Sequence, residues 1–83
     1  MSEALGESFE NLLEMLTDFQ AGRHSLVDVR RCIASLRRLL QRHRELDRAE
    51  RALQELAHAE SELDSGRFSM VRQHIEMARD AVA

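Results

Sequence analysis

Arginine side chains recur at helical spacing in the middle of the chain. Six of them lie between residues 30 and 44, largely at intervals of seven: Arg30, Arg31, Arg37, Arg38, Arg42 and Arg44. Seven residues make almost two turns of an α-helix, and a guanidinium group recognises carboxylates and phosphates. These six arginines, called the arginine ridge below, therefore predict a surface that binds a negatively charged partner.

Three interpretations of the arginine ridge stay open from the sequence. The ridge could pair within the chain, with acidic residues of the first helix or with Glu45, Glu50 or Glu55. It could bind an acidic protein partner, or it could neutralise nucleic-acid phosphates. Two features argue against nucleic-acid binding. The net charge is −3, and the chain has neither Trp nor Tyr, so it has few aromatic side chains on which bases could stack.

The other reactive side chains are isolated in the sequence. The histidines His24, His43, His58 and His74 include no pair three or four residues apart, the spacing that a helical zinc site uses. Cys32 has no Gly-rich loop or set of catalytic partners near it. We therefore expect no metal, no cofactor, no small-molecule substrate and no enzymatic activity.

Composition and length favour a small helical domain that associates with other chains. Eighty-three residues allow one domain, which buries only about 60% of its unfolded surface. Because there is one cysteine, no internal disulfide can add stability, and self-association is another way to enlarge the core. All twelve basic residues are arginine, which is typical of a GC-rich bacterial or phage genome.

Charge and hydropathy along the chain bear on its location. Residues 1–22 carry five acids and no base, residues 23–51 carry nine arginines and four acids, and residues 52–83 carry six acids and three arginines. No apolar run approaches the roughly 20 residues of a membrane span, and the acidic N-terminal segment is unlike a secretory signal. With a lone cysteine, these features predict a cytoplasmic protein that does not bind membranes.

Apolar residues recur with the period of an α-helix. The first helix is expected at about residues 3–20, with Leu5, Phe9 and Leu12 on one face and an acidic stripe, Glu3, Glu7, Glu10 and Glu14, on the other. The second helix has five apolar residues at heptad spacing, called the apolar seam: Leu26, Val29, Ile33, Leu36 and Leu40. Met15, Met70 and Met77 are expected to fill gaps in the core.

Two nearly identical stretches, "AGRHSLV" at 21–27 and "SGRFSMV" at 65–71, lie 44 residues apart. Gly22 and Gly66 each predict the end of a helix, and Ser25 and Ser69 predict the N-caps of the helices that follow. The stretches could reflect duplication of a helical hairpin or convergence on the residues that a tight turn needs. The local pattern provides no reason for the arginine after each glycine.

The segment from 25 to 64 allows two structures. A second apolar stripe, which starts at Leu46 and includes Leu56 and Leu63, is rotated by about 120° from the apolar seam. Either a turn near 44–47, with Asp47 as N-cap, separates two helices, or one long helix faces two partners. Since one short chain has few residues to cover two such stripes, the rotation predicts a homodimer or a hetero-complex.

Part of the chain resembles a known family. "SFENLLEMLTDFQAGRHSL" and the later "LDRAERALQEL" are similar to the helical hairpin of the small subunit of exodeoxyribonuclease VII. The resemblance covers roughly residues 7–56, with a shorter first helix and a displaced "AE", and residues 57–83 have no counterpart. It implies a noncatalytic helical subunit that packs on a larger protein.

The sequence thus predicts an all-α bundle of three or four amphipathic helices, with two αα-hairpin corners near 21–25 and 65–69. The expected function is non-enzymatic protein binding, as an adaptor, small chaperone, inhibitor or accessory subunit. The residues expected to bind the partner are the apolar seam and five arginines: Arg30, Arg31, Arg37, Arg38 and Arg44. The alternative function is regulation through nucleic-acid binding by the same arginines.

Overall fold

The computed structural model describes residues 3–45 and 48–83. Within these residues the chain forms four α-helices and no strand: α1 (Glu3–Gln20), α2 (Leu26–Arg42), α3 (Ala49–Asp64) and α4 (Phe68–Val82). The prediction of an all-α bundle with two hairpin corners is confirmed. Of the two structures left open between 25 and 64, the chain adopts two helices, not one long helix.

The helices form a closed ring in which each contacts two neighbours. α1 packs on α2, α2 on α3, α3 on α4, and α4 on α1, as expected for antiparallel helices joined by short connections. The most extensive packing is between α3 and α4. Ala52 and Ala59 are fully buried on α3, and such small side chains let two helix axes approach closely.

One hydrophobic core lies inside this ring. The fully buried residues that fill it come from all four helices: Leu5, Phe9, Leu12, Leu16, Val29, Ile33, Leu40, Ala52, Leu56, Ala59, Val71, Ile75 and Ala78. The apolar seam and the stripe of α3 thus share a single core, because the chain turns between α2 and α3. Their 120° rotation is therefore accommodated within one chain, and it gives no reason in itself to expect a partner.

The first corner closes as the sequence predicts. Gly22 has φ +80°, and the N–H groups of Gly22 and Arg23 donate to the carbonyls of Phe19 and Asp18 at 3.0 and 2.8 Å, which is a Schellman motif. The N–H of Asp28 donates to the Ser25 hydroxyl at 3.2 Å, and the N–H of Ser25 donates to the Asp28 carboxylate at 3.2 Å. Ser25 is therefore the N-cap of α2, within a capping box.

The second corner repeats the helix end but not the helix start. Gly66 has φ +75°, and the N–H of Arg67 donates to the carbonyl of Glu62 at 3.0 Å. α4 begins at Phe68, and its N-cap residue, Arg67, makes no side-chain hydrogen bond that caps the helix. The predicted Ser69 cap is wrong, because this connection is two residues shorter than the first and places Ser69 inside the helix.

The arginines after the two glycines have a local role. The guanidinium of Arg23 lies 3.3 Å from the carboxylate of Asp18, and that of Arg67 lies 2.7 Å from Glu62. In both corners, an ion pair spans the same five residues as the Schellman hydrogen bond of that arginine. Asp18 and Glu62 are also 44 residues apart, so the repeated pattern includes an acid that the sequence comparison missed.

Replacing Gly22 with alanine is expected to lower the free energy of unfolding by about 1 kcal/mol, because a Cβ atom disfavours positive φ. No atom lies within 4 Å of the position that this Cβ would occupy, so the cost comes from the backbone alone. Asparagine tolerates the left-handed region, so Gly22→Asn should cost less. Urea denaturation of both variants measures this difference, and equal losses would contradict a backbone origin.

The connection between α2 and α3 has no sequence breaker, yet it ends a helix. The N–H of His43, the C-cap of α2, donates to the carbonyl of Leu40 at 3.0 Å. Arg48, which precedes α3, has φ +64° and makes no side-chain cap. The predicted cap Asp47 and the apolar Leu46 lie outside the described residues.

None of the described helices is both long and apolar enough to span a bilayer.

Candidate protein-binding surface

The structure divides the arginine ridge between two faces of α2. Arg30 and Arg37 lie on the side towards α3, where Arg30 pairs with Asp64 and Arg37 pairs with Glu60 at 2.8 Å. Intramolecular pairing thus occurs, but with acids of α3 that were not the expected partners. Because these exposed or half-exposed arginines already have carboxylate partners within the chain, they are poor candidates for binding another molecule.

The other arginines of the ridge point away from the bundle. Arg31, Arg38 and Arg42 are exposed on the outer face of α2, and the exposed Arg44 follows in the connection to α3. Within residues 3–45 and 48–83, none of the four has an acidic partner; Arg38 donates to the Ser35 hydroxyl at 3.2 Å. We call Arg31, Arg38 and Arg42 the outer arginines.

The apolar seam lies inside the bundle. Val29, Ile33 and Leu40 are fully buried, and Leu36 is 2% exposed. Leu26 is half-buried and packs against the core. In this fold the seam therefore stabilises the chain itself and presents no continuous accessible surface, unlike the outer arginines.

The acidic stripe of α1 is an outer surface next to the outer arginines. Glu7, Glu10 and Glu14 are exposed, while the side chain of Glu3 lies outside the described part. Glu10 lies 3.4 Å from the Arg79 guanidinium of α4. Glu7 and Glu14 have no ion pair among the described residues. Since α1 packs on α2, the hairpin presents an acidic edge beside a basic edge.

A shallow groove lies between α1 and α2 near the first corner. It is an open depression of about 380 Å³, lined by Met15 of α1, by His24 of the corner and by Asp28, Arg31, Cys32 and Ser35 of α2. Cys32 is half-buried, and burial raises the pKa of its thiol above the usual 9.0. The thiol is therefore protonated at neutral pH, the form that is a weak nucleophile.

A buried carboxylate lies on the opposite side of the bundle, between α3 and α4. Glu55 is 5% exposed, and its carboxylate lies 2.8 Å from Nδ1 of His74 and 3.2 Å from Nε of Arg51. The ring of His58 stacks on that of His74 with centroids 5.4 Å apart. The hydrogen bond from His74, followed by the charge of Arg51, lowers the pKa of Glu55 despite its burial.

The sequence patterns did not predict the cluster of Glu55, His58 and His74, because the two histidines are far apart in the sequence. His58 lies eight residues before Gly66, and His74 lies eight residues after it. Residues equidistant from the turn of an antiparallel hairpin lie side by side, so the corner at Gly66 contains the signal that could have paired them. The described residues nevertheless include no group of three or more His, Cys, Asp or Glu side chains placed to hold a metal ion.

The methionines of α4 do not fill the core. Met70 and Met77 are each 38% exposed, so the expectation that they are core residues is wrong; Met15 is half-buried and packs against the core. Their positions follow from helical phase, since both lie about 120° around the helix axis from the buried face of Val71 and Ile75. Met77 borders an open depression of about 500 Å³ that Arg48 and Arg51 also line.

Comparison of the chain with protein-family models, with curated proteins and with solved structures finds no match. The comparisons therefore add no support to the resemblance to the exodeoxyribonuclease VII small subunit. The surfaces of the molecule itself are the basis for any functional proposal.

Proposed function

We propose that this chain is a non-enzymatic protein-binding module that binds an acidic protein partner through the outer arginines. The observation that carries the proposal is that Arg31, Arg38 and Arg42 are exposed on one helix face and have no carboxylate partner within the described chain. Arginine is enriched at protein interfaces and forms bidentate contacts with carboxylates. We also propose a cytoplasmic location, which the free cysteine supports.

A protein partner suits this surface better than nucleic acid does. The acidic stripe of α1, in which Glu7 and Glu14 have no ion pair with any described residue, lies beside the outer arginines, and it would repel a phosphate backbone. A protein partner can instead place acidic groups over the arginines and basic groups over the acidic stripe.

Affinity purification from the native host tests the proposal with matched baits. We expect the wild-type chain to capture a partner with an acidic surface. The amount of partner captured by Arg31→Glu/Arg38→Glu should be at least about tenfold lower, since each charge pair becomes repulsive. Arg48→Glu/Gln54→Glu/Gln73→Glu changes the net charge by the same amount on exposed positions of other faces and should retain the partner.

Equal capture by all three baits would contradict binding through the outer arginines. Nuclease treatment of the lysate adds a second test. If it abolished the capture, and the purified chain shifted DNA or RNA in a salt-dependent manner, the nucleic-acid function would replace the present proposal.

A further inference from the structure

We propose that the outer face of the α1–α2 hairpin binds a second copy of this chain, as a two-fold symmetric dimer. This inference rests on the proposed function, because it assigns the acidic partner of the outer arginines. The acidic groups it invokes are Glu7 and Glu14, which are exposed and have no ion pair among the described residues. The chain thus contains both halves of a complementary interface on one surface.

The two charged edges match in height along the hairpin. Glu14 lies eight residues before Gly22, and Arg31 lies nine residues after it; Glu7 and Arg38 lie fifteen before and sixteen after. Because α1 and α2 run antiparallel from that corner, each glutamate is level with one arginine. Glu7 and Glu14 are seven residues apart on α1, and Arg31 and Arg38 are seven residues apart on α2. Each edge therefore presents its two charges about two helical turns apart.

A two-fold axis parallel to the helices turns this match into an interface. Rotation about an axis that lies over the groove places the α1 edge of one copy on the α2 edge of the other without shifting either along the axis. Glu14 then faces Arg31 of the second copy, and Glu7 faces its Arg38. Since a two-fold interface is self-complementary, each contact occurs twice and four ion pairs form.

The groove between the edges supports the same arrangement. Three apolar residues that line the α1–α2 side of the core are only half-buried in the single chain: Met15, Cys32 and Leu39. In the dimer, the two grooves face each other and the charged edges surround them. An apolar centre with a polar rim is the usual anatomy of a protein interface.

Charge reversal on purified chains tests the dimer. We expect wild-type protein to dimerise in sedimentation equilibrium, with a Kd that rises about tenfold between about 50 mM and 500 mM salt. Glu7→Arg/Glu14→Arg and Arg31→Glu/Arg38→Glu should each raise the Kd by about 100-fold, because four attractions become repulsions. The net-charge control Arg48→Glu/Gln54→Glu/Gln73→Glu should dimerise like the wild type, and circular dichroism checks that every variant folds.

Restoration provides the decisive readout, since misfolding cannot produce it. Mixing the two reversal variants should yield a heterodimer, and a chain with all four substitutions should form a homodimer again. Reversal variants that dimerise as tightly as the wild type would overturn the proposed face, and a wild-type chain that is monomeric at all concentrations would overturn the dimer. In that last case, capture of a different protein through Arg31 and Arg38 would leave the proposed function standing.

Discussion

Replacing Phe9 with alanine is expected to lower the free energy of unfolding by about 3–5 kcal/mol. Phe9 is fully buried and is among the largest side chains in the core, so truncation leaves a cavity that the surrounding helices cannot fill. A chain of 83 residues is expected to have a total stability of about 4–12 kcal/mol. The variant should therefore lose a large share of its stability and unfold at a clearly lower urea concentration than the wild type, as measured by urea denaturation followed by circular dichroism.

Phe68→Ala is the matched control for this prediction. Phe68 is half-buried and makes an edge contact with Phe19, with ring centroids 5.2 Å apart, at the end of the bundle where both corners lie. Because its ring is already in part exposed to water, its truncation should cost about 1–2 kcal/mol. A larger loss for Phe68 than for Phe9 would contradict the assignment of the core.

Acid is expected to remove the stabilisation that Glu55 contributes. Its folded-state pKa lies below the ordinary 4.5, chiefly because of the His74 hydrogen bond and then the charge of Arg51. A carboxyl whose pKa is lowered on folding stabilises the protein above its unfolded-state pKa and ceases to do so as the pH falls through the folded-state value. The contribution should therefore be complete at neutral pH and be lost below a pH of about 4.5.

Glu55→Gln isolates this contribution. At neutral pH the variant should unfold with a free energy about 1.5–3 kcal/mol lower than the wild type, the range for hydrogen bonds to charged groups. The difference should shrink as the pH falls below about 4. Denaturant unfolding across that pH range measures it, and a pH-independent difference would show that the carboxylate charge has no part in stability.

Two other carboxyl groups shape the acid limb in both proteins. The backbone bond from Ser25 and the contact with His24 lower the pKa of Asp28, and hydrogen bonds from its own backbone and from His43 lower that of Glu45. Both are exposed or nearly so, and they cancel in the comparison of wild type with variant.

The helices and their corners follow from short-range sequence patterns. The 3.6-residue period predicts α1 at about 3–20, and the structure has Glu3–Gln20. Gly22 and Gly66 end helices because only a residue without a Cβ adopts positive φ at no cost. Ser69 shows the limit of such patterns: a serine at the expected offset does not cap a helix when the connection is shorter and the helix begins earlier.

The connection between α2 and α3 required tertiary information. Residues 26–64 contain neither Gly nor Pro, so local propensity leaves one long helix and two helices close in energy. Two antiparallel helices allow the apolar seam and the stripe of α3 to enter the same core, as Leu40 and Leu56 show by being fully buried. Burial of apolar surface contributes far more than one continued helical turn, and it decides in favour of the turn.

Sequence alone determined most of the helical segments, which face of each helix is apolar and where two of the three turns occur, because these depend on neighbours within a few positions. Tertiary structure decided which charged groups are free. Arg30 and Arg31 are adjacent in the chain, yet one pairs with Asp64 and the other faces solvent. A rotation of 100° per residue sends neighbouring side chains to different faces, and only helix packing determines whether a face meets an acid, a histidine or water.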